Sequence, residues 1–167
     1  NAPDHHIAEV TTLGNDGKRY VYGIAAYNTL QREISFAVDK NASTDIVNGT
    51  VSYSPSDITT SNSSGRDNYF SETETPPFAH SYLLTSVLSS DYIDNDNVQG
   101  PSDGDYGSWV KFSYNKSATN YKWRSPYTTG TNQSSFNFGM FSDDMDNKSN
   151  IVYGEKELWY MDRIESK

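Results

Sequence analysis

The chain has 167 residues, a length that suits a single domain with a modest core. Its formal net charge is −9 at pH 7 and it contains no cysteine. The acidic balance disfavours nucleic acid as a partner, because phosphate binding needs a basic surface. The missing thiols exclude disulfides and zinc–cysteine sites. Hydrophobic residues make up 34% of the chain, and no apolar run approaches the length of a membrane span.

The first third of the sequence predicts β-hairpins. Residues 7–13 are followed by the turn Gly14–Gly17 (Gly-Asn-Asp-Gly), whose residue types tolerate positive φ. Apolar and aromatic side chains then alternate through residues 20–24 and again through residues 34–38, which is the spacing of a strand with one buried face. A second turn signal, Asn48-Gly49, indicates another hairpin.

Two departures from the strand pattern follow. Residues 54–75 contain almost no aliphatic side chains, so we expect a long polar surface loop there. Residues 79–89 are the best helix candidate, since Pro76 and Pro77 suit a helix start. Leu84, Val87 and Leu88 follow at the three-to-four spacing of an apolar helix face.

Strand signals return after residue 108 and continue to the end. Alternation is visible in residues 109–114, 121–123 and 136–140, and residues 150–167 are expected to form two short strands around Gly154. The sequence therefore predicts a mainly β fold, an antiparallel sandwich or β-sheet section with one short helix near residues 79–89. We expect a single domain over residues 1–167, within a longer chain.

The stretch Asp91–Phe112 combines acidic and amide side chains with turn glycines. Calcium prefers six to eight oxygen ligands from carboxylates, amides and carbonyls, and the candidate ligands here are Asp91, Asp94, Asn95, Asp96, Asp103 and Asp105. The spacing departs from the EF-hand pattern. Two interpretations stay open: a structural Ca²⁺ site, or a solvated connection between helix and strand. A weaker second candidate is the acidic cluster at residues 143–146.

Catalytic motifs are missing from the sequence. Neither a nucleophile elbow nor a phosphate-binding glycine loop occurs. The pairs Glu72/Glu74 and Glu155/Glu157 offer the two carboxylates that glycoside hydrolysis requires, but nothing in the sequence marks them as buried. We therefore expect no enzymatic activity in this chain.

Three tryptophans support a rival interpretation, a carbohydrate-binding β-sandwich module. Aromatic faces stack on the C–H surfaces of sugars, and the candidate ligand-binding residues are Trp109, Trp123 and Trp159. The alternative is that these rings fill the core, because aliphatic residues are scarce and aromatic residues must supply much of the buried area.

Two segments resemble parts of very large secreted β-proteins. Tyr153–Lys167, YGEKELWYMDRIESK, resembles the RHS/YD-repeat and toxin-complex B-component class, in which a Trp-containing strand leads into an Arg-Ile-Glu strand. Ser102–Tyr114, SDGDYGSWVKFSY, is similar to segments of giant surface proteins of Bacteroidota. The resemblance implies an extracellular or cell-surface scaffold. Such a non-catalytic section would pack on neighbouring sections of its parent chain or on a secretion or surface protein complex.

Overall fold

The computed structural model describes residues 3–39, 48–96, 98–127, 132–136 and 146–167. Within these ranges the chain forms ten strands: β1 Val10–Leu13, β2 Arg19–Tyr22, β3 Ile24–Ala37, β4 Thr50–Ser52, β5 Phe70–Thr75, β6 Phe78–Leu83, β7 Ser86–Leu88, β8 Trp109–Ser125, β9 Gln133–Phe136 and β10 Lys148–Ser166. The predicted mainly β class with antiparallel pairing is confirmed. None of the helical structure in the described residues is long and apolar enough to cross a membrane.

The chain divides into two compact units. The first unit comprises Asn1–Asn28, Pro77–Tyr121 and Lys156–Lys167, and the second comprises Thr29–Pro76 and Lys122–Glu155. The three longest strands, β3, β8 and β10, contribute residues to both units.

The first unit is built from short strands around β2 and β7. β1 and β2 form the predicted hairpin, in which Leu13 lies opposite Arg19. Its turn is closed by the Gly14 N–H, which donates to the Lys18 carbonyl at 2.8 Å, and Gly17 takes a φ of +78°. β7 pairs with β2 on one side and with β8 on the other, and β6 pairs with the beginning of β3.

The second unit contains the apolar core. Its strands pair β3 with β5, and β9 with both β10 and β4. One cluster of buried side chains fills the space: Ile34, Phe36, Val38, Val51, Phe136 and Ile151. The alternation predicted for residues 34–38 is therefore confirmed as a buried face. Burial of each of these larger side chains stabilises the fold by about 1.5–3 kcal/mol.

The helix predicted near residues 79–89 is wrong, because this segment forms β6 and β7. β6 pairs with β3, and Val87 lies between Tyr20 of β2 and Val110 of β8. Ser86 and Leu88 are buried, which is a period of two. The three-to-four apolar spacing was only weak evidence for a helix. Pairing of β7 with strands on both sides outweighs a small helix propensity.

Strand structure also extends further than the sequence indicated. Phe70–Thr75, the end of the predicted polar loop, is β5, whereas most of residues 54–69 are turns. β10 is a single strand of 19 residues through Gly154, so the prediction of two short strands is wrong there. The alternation predicted at residues 136–140 lies mostly outside the described residues.

Gly154 lies where β10 packs closely against β3. A Cβ at this position would lie 2.1 Å from the carbonyl oxygen of Leu30 and 3.1 Å from the Trp123 ring. Because real carbon atoms cannot approach a backbone oxygen so closely, only glycine fits without a backbone shift.

Replacing this glycine tests the packing of the two strands. Gly154→Ala should lower the free energy of unfolding by about 1–3 kcal/mol, since the added methyl group must displace backbone. The matched control is Gly14→Ala, whose Cβ would meet the flexible carboxylate end of Asp16 at 2.7 Å. Urea unfolding followed by tryptophan fluorescence measures both variants. Equal stability of the two variants would contradict the close approach.

Candidate functional site

The acidic loop, residues 91–108, connects β7 to β8 in the first unit and folds back on itself. Ile93 and Tyr106 form an antiparallel bridge, and the Ser89 N–H donates to the Ser108 carbonyl at 2.9 Å. Gly107 has a φ of +83°, and a Cβ there would lie 2.8 Å from the Tyr92 backbone. Glycine is therefore required where the two sides of the loop meet.

A buried carboxylate, that of Asp105, organises this loop. Asp105 is only 1% exposed to solvent. Oδ1 accepts from the Asn95 N–H at 2.9 Å, and Oδ2 accepts from the Ser102 N–H at 2.9 Å and from the Tyr92 hydroxyl at 2.7 Å. Buried charges are tolerated only when they are paired or hydrogen-bonded, and these donors satisfy Asp105 from within the loop.

The ionisation of this pair follows from the same contacts. The backbone hydrogen bond from Asn95 and the hydroxyl bond from Tyr92 hold the pKa of Asp105 below its usual value of 3.8. Burial, together with the hydrogen bond to Asp105, raises the pKa of Tyr92 well above its usual value. The phenol therefore stays a donor and the carboxylate stays an acceptor around neutral pH.

Cationic side chains bind the backbone carbonyls of the acidic loop. The Lys167 ammonium donates to the carbonyls of Asp103 and Asp105 at 2.7 and 2.6 Å. Lys111 donates to the Pro101 carbonyl at 3.2 Å, and Arg19 donates to the Tyr92 carbonyl at 2.8 Å. Protein cations therefore lie beside four backbone carbonyls of this loop.

Three of the six proposed metal ligands come together. One carboxylate oxygen from each of Asp94, Asp96 and Asp105 lies within 4.8 Å of the other two. Asp91 lies outside this cluster and accepts from the Ser89 hydroxyl at 2.5 Å. Asn95 and Asp103 act through other groups: Asn95 donates its amide to the Gly104 carbonyl at 3.4 Å, and Asp103 uses its own carbonyl.

The second acidic cluster is only partly described. Residues 143–145 lie outside the described residues, and Asp146 forms an ion pair with Lys148. Lys148 also pairs with Asp67 at 2.7 Å. The Asp146 carboxylate therefore has a protein cation beside it.

The three tryptophans lie in different surroundings. Trp109 is buried beneath the acidic loop, where its indole N–H donates to the Ser102 carbonyl at 3.0 Å. Trp123 lies in the second unit near Gly154. Trp159 borders a cleft of the first unit.

This polar cleft has a volume of about 300 Å³. It is lined by backbone and side chains of Ala8, Glu9, Gly23, Ile24, Ala25, Tyr27, Gln99, Lys116, Glu157 and Trp159. Glu157 is its central group, because it accepts from the Lys116 ammonium at 2.5 Å, from the Trp159 indole N–H at 3.1 Å and from the Tyr27 N–H at 3.2 Å. The Lys116 ammonium also lies 4.8 Å from the centre of the Trp159 ring.

Electrostatics keep Glu157 ionised. Burial alone would raise its pKa, but hydrogen bonds from Lys116, Trp159 and the Tyr27 backbone outweigh burial and hold the pKa below its usual value of 4.5. Glu157 is therefore a fixed hydrogen-bond acceptor in the wall of the cleft.

A second cleft of about 280 Å³ adjoins the first and shares Glu9, Gly23, Ile24 and Gln99 with it. Its wall includes Gly100 and Pro101 of the acidic loop. Sequence reasoning found Trp159 but missed Glu9, Gln99 and Lys116. Nothing in their local sequence distinguishes them from other exposed polar residues.

The hydrogen bonds of Asp105 predict how the stability of the fold changes at acidic pH. Because its pKa is lowered on folding, the stabilisation by Asp105 is present above the unfolded pKa and is lost as the pH falls through the folded value. Asp105→Asn should lower the melting temperature at pH 7, since an amide nitrogen cannot accept from the backbone donors. The variant should also lose less additional stability than wild type between about pH 5 and pH 2.

Asp103→Asn is the control, because this residue binds Lys167 through its backbone carbonyl. Thermal melts of the three proteins across this pH range measure the effect. Parallel pH profiles of wild type and Asp105→Asn would overturn the assigned role of the buried carboxylate.

Comparisons with models of protein families, with curated proteins and with solved structures found no match. The chemistry of the acidic loop, the polar cleft and the exposed surface is therefore the basis for assigning a function.

Proposed function

We propose that the chain is a non-catalytic structural and interaction section of a large secreted or cell-surface protein, and that its first unit packs against a neighbouring section of the parent chain. The observation that carries this proposal is the uneven distribution of apolar side chains between the two units. One unit has a core, and the other presents apolar groups to solvent.

The exposed side chains show this imbalance most clearly. Ten of the twelve large hydrophobic residues that are exposed among the described residues belong to the first unit, and the other two, Tyr69 and Tyr127, belong to the second. The buried hydrophobic residues of the first unit are Ala26, Tyr27, Leu88 and Trp109. Exposed apolar side chains that lie next to one another mark interaction sites, whereas single ones are common on protein surfaces.

At the end of β10, three of these exposed side chains lie close together in one strand. Tyr160 and Ile164 are 61% and 59% exposed, and four residues of strand separation place them on the same side. Met161, which is 50% exposed, adds an apolar side chain on the opposite side. Burial of this segment would contribute about 25 cal/mol for each Å² of apolar surface removed from water.

The nature of the parent protein is inferred from the same segment. Tyr153–Lys167, which resembles the RHS/YD-repeat and toxin-complex B-component class, contains the exposed residues of β10. Packing on neighbouring sections is what such a scaffold requires. We therefore propose that the protein acts outside the cell or at its surface, with a secretion or surface complex as the alternative partner.

A non-catalytic role agrees with the state of the acidic pairs. Glu157 is held ionised, which is unfavourable for a general acid, since that role needs a raised pKa. Glu72 and Glu74 lie 3.4 and 2.7 Å from the Arg32 guanidinium. These carboxylates are engaged in ion pairs rather than poised around a substrate bond.

We also propose that the acidic loop takes a structural Ca²⁺ between Asp94, Asp96 and Asp105. Oxygen ligands on opposite sides of Ca²⁺ are about 4.6–5.2 Å apart, and the three carboxylate oxygens lie within 4.8 Å of one another. Asp94 and Asp96 are exposed, so binding would relieve their mutual repulsion. Affinity should be weak, because the Asp105 carboxylate already accepts three hydrogen bonds.

Oxidative footprinting tests the interaction surface. Hydroxyl radicals should modify Tyr160, Met161 and Ile164 severalfold more slowly in the intact parent protein than in the isolated 167-residue chain, because a neighbouring section covers them. Tyr127, an exposed aromatic residue of the second unit, is the reference. Equal modification rates at the end of β10 in both proteins would refute the proposal.

Calcium titration tests the loop separately. At ten times the dissociation constant, Ca²⁺ should stabilise the fold by about 1.4 kcal/mol and raise the melting temperature by a few degrees. The double variant Asp94→Asn/Asp96→Asn should lose this response, and Asp103→Asn should keep it. If millimolar Ca²⁺ leaves the wild-type melting temperature unchanged, the loop is not a calcium site.

A further inference from the structure

We propose that the polar cleft and the cleft adjoining it form one groove that binds a short neutral oligosaccharide, with Trp159 as the ring that contacts the sugar. This inference is independent of the β10 surface proposed above. It is carried by the shape of the groove and by the combination of groups that line it.

The shape of the groove favours an elongated ligand. The two clefts have volumes of about 300 and 280 Å³ and share four lining residues. Ligand sites in proteins are concave pockets of about 300–1,000 Å³ with a few well-placed polar groups. A ligand longer than one ring can extend from Trp159 past Gln99 towards Pro101.

The charges of the groove favour a neutral ligand. Two carboxylates, Glu9 and Glu157, and two ammonium groups, Lys111 and Lys116, contribute to its lining. Lys116 is paired with Glu157 at 2.5 Å, so an ionic ligand would have to compete with a partner already in place. Hydroxyl groups, which both donate and accept, can join such a network without displacing it.

The chemistry of Trp159 and Gln99 suits a sugar. An indole ring offers an apolar face to sugar C–H groups. The adjoining amide of Gln99 is exposed and can both donate and accept. The Trp159 indole N–H is fixed by Glu157 at 3.1 Å, which restrains the orientation of the ring before any ligand binds.

Tyr27 stabilises the wall of the cleft. It is only 7% exposed, and its backbone N–H donates to the Glu157 carboxylate at 3.2 Å. This bond helps to hold Glu157 in place before any ligand binds.

Affinity gel electrophoresis tests the proposal with a panel of neutral polysaccharides: starch, xylan, mannan, galactomannan and mixed-linkage β-glucan. At least one polymer should retard the wild-type protein. Trp159→Ala should weaken this binding by about tenfold or more, as expected when a central aromatic contact is truncated. Gln99→Ala, a change at an exposed side chain, should weaken it by a smaller factor.

Trp123→Ala is the matched control, since this tryptophan lies in the second unit and should leave retardation unchanged. Circular dichroism melts confirm that each variant is folded, and Gln99→Ala keeps the test valid if Trp159→Ala unfolds. The proposal is overturned if no polymer retards the wild type. It is overturned equally if folded variants at positions 99 and 159 bind as well as wild type.

Discussion

The acidic loop of the first unit depends on the carboxylate of Asp105. This carboxylate is buried among three hydrogen-bond donors of its own loop, and these bonds fix where Tyr92, Asn95 and Ser102 lie. Ser102 in turn accepts from the Trp109 indole, which anchors the beginning of β8. The same loop supplies Gln99 to both clefts and Pro101 to the second. The buried charge of Asp105 thus helps to position the acidic loop, the start of β8 and the part of the loop that lines the two clefts.

Scarcity of aliphatic residues explains why polar groups are used in this way. The apolar cluster of the second unit absorbs most of the buried hydrophobic side chains. Buried positions outside this cluster are filled by polar residues with several partners. In the second unit, for example, the Lys148 ammonium pairs with Asp67 and Asp146 and lies 5.1 Å from the centre of the Tyr69 ring. Buried ion pairs add little net stability but penalise alternative arrangements, in which one charge would lose its partner.

How much of the fold could be predicted from the sequence also depends on whether a segment buries apolar or polar side chains. Where one face is apolar, as at Ile34, Phe36 and Val38, alternation was a sufficient signal. The polar middle of β8 carries no such alternation, so its length could not be predicted. Near residues 79–89, spacing alone could not reveal that strands lie on both sides. Asp105 could not be distinguished from Asp94 or Asp96, because its burial depends on donors that the loop positions only when folded.

The close approach at Gly154 limits how the chain can vary in length. It fixes which residue of β10 lies against Leu30 of β3, and successive side chains along a strand alternate between its faces. One residue inserted or deleted after Gly154 would move every later side chain of β10 to the opposite face. Tyr160 and Ile164 would exchange sides with Met161, and Trp159 would turn away from the cleft. Natural variants of this chain should therefore differ by substitution in Gly154–Ser166, and rarely by insertion or deletion.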